Sequence, residues 1–253
     1  MDSVNWSHLG WSLLIIAIGV IVILLIGDSG WGERWQILVT QLFSIIIITT
    51  ALNLIWEQYS KERFKKEILG AKSFADEIER AGLTKIPSTK GFNEEIDWEK
   101  HFNEVRNLDL FVSWGYSWRQ NNRLRLKNFA QKENTKANII LPDYEKESIV
   151  NQLAYWFTMD PDEVVKSIME SAEDFNKLFQ EQEVDYQILL ANTTPVYSFY
   201  RFDHVGILAL YKHRNEKVGV TSLIVEEGGS LYDYISKDFK FLKQNSRKFE
   251  TEE

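Results

Sequence analysis

Two uncharged apolar runs at the front of the chain limit what the rest of it can be. Leu9–Ile26 (LGWSLLIIAIGVIVILLI) is eighteen residues without a formal charge. As a helix at 1.5 Å per residue it spans about 27 Å, close to the roughly 30 Å hydrocarbon core of a bilayer. Trp35–Trp56 (WQILVTQLFSIIIITTALNLIW) is a second such run, of twenty-two residues. Between them GDSGWGER leaves room only for a hairpin. Trp6, Trp11, Trp31, Trp35 and Trp56, five of the nine tryptophans, lie in or beside the ends of these runs. Amphipathic rings prefer that headgroup zone. A signal peptide wants a basic start, which MDSVNWSH lacks, and a buried core hairpin needs no tryptophans at both edges. The expectation is a transmembrane hairpin over residues 1–60, with spans at about 9–26 and 35–56.

Charge divides the chain in the same place. Residues 1–60 hold one basic residue, Arg34, and four acids, whereas the remainder holds 28 basic and 33 acidic residues. KERFKKE (Lys61–Glu67) follows the second run directly. By the positive-inside tendency the charged part is cytoplasmic. Two spans then put both termini in the cytoplasm, as in a multi-pass protein of a cell inner membrane. The lipid bilayer is the first expected partner. A net charge of −8 argues against nonspecific binding to phosphate backbones, so no direct double-stranded DNA binding is expected. There is no cysteine, hence no disulfide framework, thiolate zinc site or cysteine nucleophile.

The second run carries polarity that a plain anchor does not need. At 100° per residue, Thr40, Gln41 and Ser44 share one arc, and Thr49, Thr50 and Asn53 fall on roughly the opposite one. Hydroxyls at membrane depth commonly bond back to their own helix. Amides look for partners on neighbouring helices. Gln41, Ser44 and Asn53 are therefore the expected membrane-function residues, serving the first span and another copy of the chain.

Beyond Trp56 the residues Phe64, Ile68, Ala71, Ala75 and Ile78 make an amphipathic stripe over 61–82, read as a stalk helix. From Leu83 strands and helices alternate: strands at LTKI, LDLFVSW, ANIIL and VDYQILLA; helices near 93–106, 119–131, 148–157 and 162–179. Three further strands, 196–202, 204–211 and 218–225, precede a helix from Ser230 to about Gln244. This pattern predicts an α/β domain over 83–244, with a disordered tail at 245–253.

Motifs of chemistry are scarce. His8, His101, His204 and His213 match no metal spacing, and neither a metal nor a cofactor is expected. The sequence has no G-x-S-x-G elbow and no phosphate-binding glycine loop. Gly228-Gly229 reads as a plain turn, with Glu226 and Glu227 opposing an anion. Trp114, Tyr116, Trp118 and Arg119 follow a strand end, where α/β proteins bind ligands. They form either a stacking pocket for a nucleotide or other anion, or aromatic packing under the next helix.

From about Gly82 to Lys243 the chain resembles a single phospholipase D-like half-domain, through LDLFVSWGYSW, ANIILPDY, VDYQILLANTTPVYSFYRFD, HVGILALY and the closing GGSLYDYISKDFKFL. Active members carry H-x-K-x4-D. With Asp203 in the aspartate place, Val196 and Ser198 stand where histidine and lysine belong, so the resemblance implies the fold without phosphodiesterase activity. The layout is also similar to two-span effectors of bacterial antiphage systems, retron-associated and cyclic-nucleotide-signalling types included. These resemblances imply a membrane effector or sensor, forming a homo-oligomer (a dimer or higher), whose cytosolic domain receives a nucleotide ligand or protein partner. The alternatives are a membrane-anchored phosphodiesterase or nucleotide hydrolase with Tyr197, Arg201 and Asp203 near its site, and a passive anchor for a partner complex.

Overall fold

The computed structural model of the chain describes residues 6–27, 32–56, 61–88, 91–211 and 219–250. The expected hairpin turn around Asp28–Trp31, His213, the side chains of Trp6, His8, Lys61, Arg63 and Lys65, and the last three residues of the expected tail lie outside the described residues. The chain divides into two compact units, 1–75 and 76–253.

In the first unit α1 (Trp6–Gly27) packs along α2 (Glu33–Ile55). The half-buried positions of α2 include Gln36, Thr40, Phe43, Ile47, Thr50 and Leu54, a four-three alternation that keeps one seam facing a neighbour. Gly19 of α1 allows close approach, since a Cβ there would lie 2.9 Å from Ile47 Cγ1. Among the described helices α2 is long and apolar enough to cross a membrane, and the apolar part of α1, Gly10–Ile26, is shorter. Helix α3 (Lys61–Ala81) follows and stops at Gly82, whose φ of 71° is left-handed and suits a helix C-terminus. Ile68, Leu69 and Phe74 are exposed on α3.

The second unit is α/β. Its sheet has eight strands: β1 (Leu83–Lys85), β2 (Asn107–Phe111), β3 (Lys136–Pro142), β4 (Asp185–Ala191), β5 (Tyr197–Phe202), β6 (Val205–Leu210), β7 (Thr221–Glu226) and β8 (Arg247–Lys248). Their order is β1-β7-β6-β5-β2-β3-β4-β8. Strands β2, β3 and β4 are parallel, and every other pairing is antiparallel. The helices between are α4 (Gly91–Glu94), α5 (Trp98–Asn103), α6 (Tyr116–Asn121), α7 (Arg123–Ala130), α8 (Glu147–Phe157) and α9 (Pro161–Phe179), with α10 (Ser230–Asn245) after β7.

Strand periodicity builds a core on each face. Leu108, Leu110 and Val112 point with Ile139 and Leu141 into the larger cluster, which also contains Phe129 of α7, Leu153 of α8 and Phe175 of α9. Phe111, Ile140, Leu189 and Phe199 point the other way, against Tyr232, Ile235 and Phe239 of α10. Buried parallel strands therefore read as nearly unbroken apolar runs, as in NIIL and QILLA. Helix α9 starts where expected: Asp160 accepts from Asp162 N at 2.9 Å, and Pro161 opens the first turn. The expected helix over 93–106 is instead broken, because the Asp97 carboxylate caps α5 by accepting from Lys100 N at 3.0 Å.

The expected disordered tail is corrected over its first part. Helix α10 runs to Asn245, and Arg247-Lys248 pairs antiparallel with β4 at the sheet edge. The cause is an ion pair far apart in sequence. Arg247 Nε and Nη2 donate to the two oxygens of buried Asp143, at 3.0 and 2.8 Å, and Nη2 also lies 2.7 Å from Glu145. Burial pushes the Asp143 carboxyl up, but the Arg247 hydrogen bonds and charge and the Glu145 N–H together hold it below its ordinary value. A depressed carboxyl stabilises the fold above its unfolded-state value near 3.8 and loses that contribution as pH falls through the lower folded value. Urea denaturation should therefore find Arg247→Met less stable than the parent at pH 6, with the gap narrowing below about pH 4. A gap that is constant with pH would exclude the linkage.

Candidate functional site

Across the middle of the sheet, on the α10 face, the apolar pattern is interrupted by a row of polar side chains. Asp109 of β2 is in register with Asn138 of β3 on one side and Arg201 of β5 on the other. All three occupy alternate positions from core residues of the larger cluster, so they share the face of Phe111, Ile140 and Phe199. Asp109 is 1% exposed, and an unpaired carboxylate there would be costly. It is fully engaged: Asn138 Nδ2 donates to Oδ1 at 2.6 Å, and Arg201 donates to Oδ2.

Helix α10 only partly covers this row. Between them lies a cavity of about 420 Å³, lined by the three sheet residues and by Asp233, Ser236, Phe239 and the lysines of α10. That size falls within the usual range of ligand sites. The spacing of α10 explains the lining. Tyr232, Ile235 and Phe239 seat the helix on the sheet, which leaves Lys237, Lys240 and Lys243 along its flank. Two polar atoms of lining residues, Arg201 Nε and Ser236 Oγ, are buried with no hydrogen-bond partner. Each such group costs about 1–3 kcal/mol unless something satisfies it.

Of the residues expected from sequence to bind a ligand, Arg201 lines this cavity. The others are placed elsewhere, with Trp114 and Tyr116 gathered around Arg119 after β2. Trp118 is 4% exposed and packs at 4.8 Å from Tyr200 and 5.7 Å from Trp98, ring centre to ring centre. Arg119 is 2% exposed. Its Nη1 donates to Trp114 O at 2.8 Å and Ser171 Oγ at 2.7 Å, and its Nη2 lies 3.1 Å from Asp174. Burial lowers the Arg119 pKa, against the pull of Asp174. Trp114 packs edge-on to Phe157 at 4.6 Å, and Tyr116 is exposed. The aromatic segment after β2 thus fastens α6 to α9, and its one fixed cation is spent internally. Tyr197 donates to Asp238 across to α10, and burial with that carboxylate holds its pKa above the usual phenol value.

Asp203 sits at the β5–β6 turn with φ 47°, a conformation aspartate tolerates better than most residues. Its carboxylate accepts from Arg106 N, Asn107 N and Asn107 Nδ2, each at 2.8 Å. Val196 is exposed, and Ser198 is buried with its hydroxyl against Tyr211 Oη. Gly228-Gly229 is a packed turn: a Cβ on Gly229 would lie 2.3 Å from Gly82 Cα, so glycine is required there for close backbone approach.

In α2, Ser44 and Thr40 donate to carbonyls four residues back, at 2.7 Å, and Thr50 does the same. Gln41 and Asn53 are exposed and lie off the seam that faces α1. Sequence reasoning passed over Asp109, Asn138, Ser236, Lys237, Lys240 and Lys243. A usable signal was present: single polar residues in the apolar runs LDLF and ANIIL, and lysines every three residues in SKDFKFLK.

Comparison with known proteins adds little to this geometry. No family model matches the chain, and no curated protein matches it. Solved structures that match include one at a TM-score of 0.38 and 10% identity, over 81% of this chain and 71% of that one: "Structure of TrmBL2, an archaeal chromatin protein, shows a novel mode of DNA binding". A likeness that slight transfers neither fold nor function. The expectation of no direct double-stranded DNA binding is nonetheless withdrawn, because its premise is too coarse. Net acidity, on which it rested, averages over the chain and is silent on local patches.

The Arg119 contacts carry a testable consequence. Arg119→Ala should cost about 3 kcal/mol by leaving Asp174 without its cationic partner and the Trp114 carbonyl with the Ser171 hydroxyl alone. Chemical denaturation of the parent and variant measures this, and a loss below about 1 kcal/mol would show that the guanidinium does not hold α6 to α9.

Proposed function

We propose that the chain is a membrane-anchored effector or sensor of the inner membrane. Its α1–α2 hairpin spans the bilayer twice, both termini are cytoplasmic, and copies associate through the outward face of α2. In this reading the α/β unit is a phospholipase D-like half-domain that receives a signal and does no phosphodiester chemistry. Activation shifts helix packing until the bilayer leaks and the host stops growing, as in an antiphage defence.

The exposure of Gln41 and Asn53 carries the reading. The hydroxyls of Thr40, Ser44 and Thr50 are satisfied within α2, whereas the two amides are turned away from α1. In hydrocarbon an exposed amide has no partner in lipid, and a second copy supplies one at a gain of about 0.6–2 kcal/mol per contact. The engagement of the Asp203 carboxylate by three N–H donors, with Val196 and Ser198 in the histidine and lysine places, favours the non-catalytic form over a hydrolase.

The double substitution Gln41→Leu with Asn53→Leu separates effector from anchor. It should insert at least as well as the parent, remain in the membrane fraction, and lose the parent's ability to depolarise cells. Equal depolarisation by both proteins, or none by the parent, would reduce the hairpin to an anchor.

A further inference from the structure

We propose that the cavity between α10 and the Asp109–Asn138–Arg201 row binds a ligand bearing at least two phosphate groups. The proposal deepens the reading of the α/β unit as a receiver, and rests on that reading only for the response that binding triggers. The charge of the lining comes first. Arg201, Lys237, Lys240 and Lys243 face two carboxylates, Asp109 and Asp233. Asp109 is already ion-paired with Arg201 and hydrogen-bonded by Asn138. Three lysines therefore stand against one remaining acid, and none of the three is ion-paired among the described residues. The ammonium groups along this flank repel one another, and a multiply charged anion would relieve that repulsion.

The extent of the ligand is set by the lysine spacing. Residues three apart on a helix have Cβ atoms about 5–6 Å apart. A single carboxylate would engage one of these lysines, whereas a diphosphate or larger phosphate ester reaches from one to the next. The sheet side supplies direction. Arg201 Nε and Ser236 Oγ lack partners, and phosphate oxygens are the strong acceptors such donors take once the lysine side chains move aside. Asn138 and Arg201 are fixed by Asp109, so this wall is organised before a ligand arrives. The phosphate can belong to a soluble ester or to a lipid headgroup, and the chemistry of the wall is the same for both.

The test uses the full chain in an uncharged detergent, titrated calorimetrically with inorganic pyrophosphate. Saturable binding is expected, weakened about tenfold or more by Lys237→Gln with Lys240→Gln, and unchanged by Lys127→Gln on α7. Lys237 and Lys240 lie on the open flank of α10, away from the Tyr232, Ile235 and Phe239 contacts that seat it, so the double variant should keep the parent's melting temperature without ligand. Arg201→Gln should also abolish binding, but it strips a buried carboxylate of its partner, so the lysine pair decides. No saturable binding, or an unchanged affinity in a folded lysine variant, overturns the site. Repeating the titration in phosphatidylcholine nanodiscs with and without cardiolipin, a lipid with two phosphate groups, separates the sources. Weaker pyrophosphate binding with cardiolipin assigns a lipid headgroup, and unchanged binding assigns a soluble ester. Loss of the site would leave the depolarisation result for Gln41 and Asn53 as it stands, and the reverse also holds.

Discussion

The α/β unit depends on one strand having no free face. β2 lies inside the eight-stranded sheet, parallel to β3 and antiparallel to β5, and it joins a parallel half to an antiparallel meander. Its side chains must enter a core on either side: Leu108 and Leu110 toward α7, α8 and α9, and Phe111 toward α10. Asp109 is the exception. A carboxylate at that position survives because its in-register neighbours on both sides are an amide and a guanidinium. The polar row is thus one unit. Replacing any member leaves another buried without a partner, which costs more than replacing all three with apolar groups.

Much of this architecture was legible in the sequence, because period and capping are local. Strands β3 and β4 and helices α8 and α9 lie within a residue or two of their expected bounds. Where expectation failed, a distant residue or an unforeseen cap had intervened. The tail is ordered through β8 because Arg247 finds Asp143, more than one hundred residues earlier. The helix after Asn93 divides because Asp97 turns its carboxylate to the backbone. The candidate site was the least visible part. Asp109, Asn138 and Arg201 come from three strands, and only their pairing register puts them side by side. A sequence shows each as an isolated polar residue in an apolar run, and nothing local says which neighbour will satisfy it.

The aromatic segment after β2 illustrates the opposite error. Trp114, Trp118 and Arg119 have the side chains of a stacking pocket, but stacking and packing use the same groups. Burial decides between them. Trp118 is enclosed by Trp98, Phe102 and Tyr200, and Arg119 is saturated by three acceptors. In the first unit the comparable distinction falls between hydroxyls and amides. A threonine or serine can close on its own helix carbonyl, as Thr40, Ser44 and Thr50 do. Glutamine and asparagine carry more donors and acceptors than one carbonyl can meet.

A ligand in an open α/β sheet is ordinarily sought beyond the carboxyl ends of the parallel strands. Here those ends are filled from within. After β3, Asp143 is held by Arg247. After β2, Ser113 donates to Tyr211 Oη at 3.2 Å, and Trp114 lies against Phe157. Such contacts close the crevice with internal partners. The spare donors lie on β5 and on α10 itself, where Arg201 Nε and Ser236 Oγ are unmatched and three lysines have no ion pair among the described residues. In a chain whose net charge is negative, an unmatched basic wall with its own cavity is the place where an anion gains most by binding. The fold has thus moved the opportunity for recognition from the strand ends to the face of the sheet, with α10 forming one wall of it.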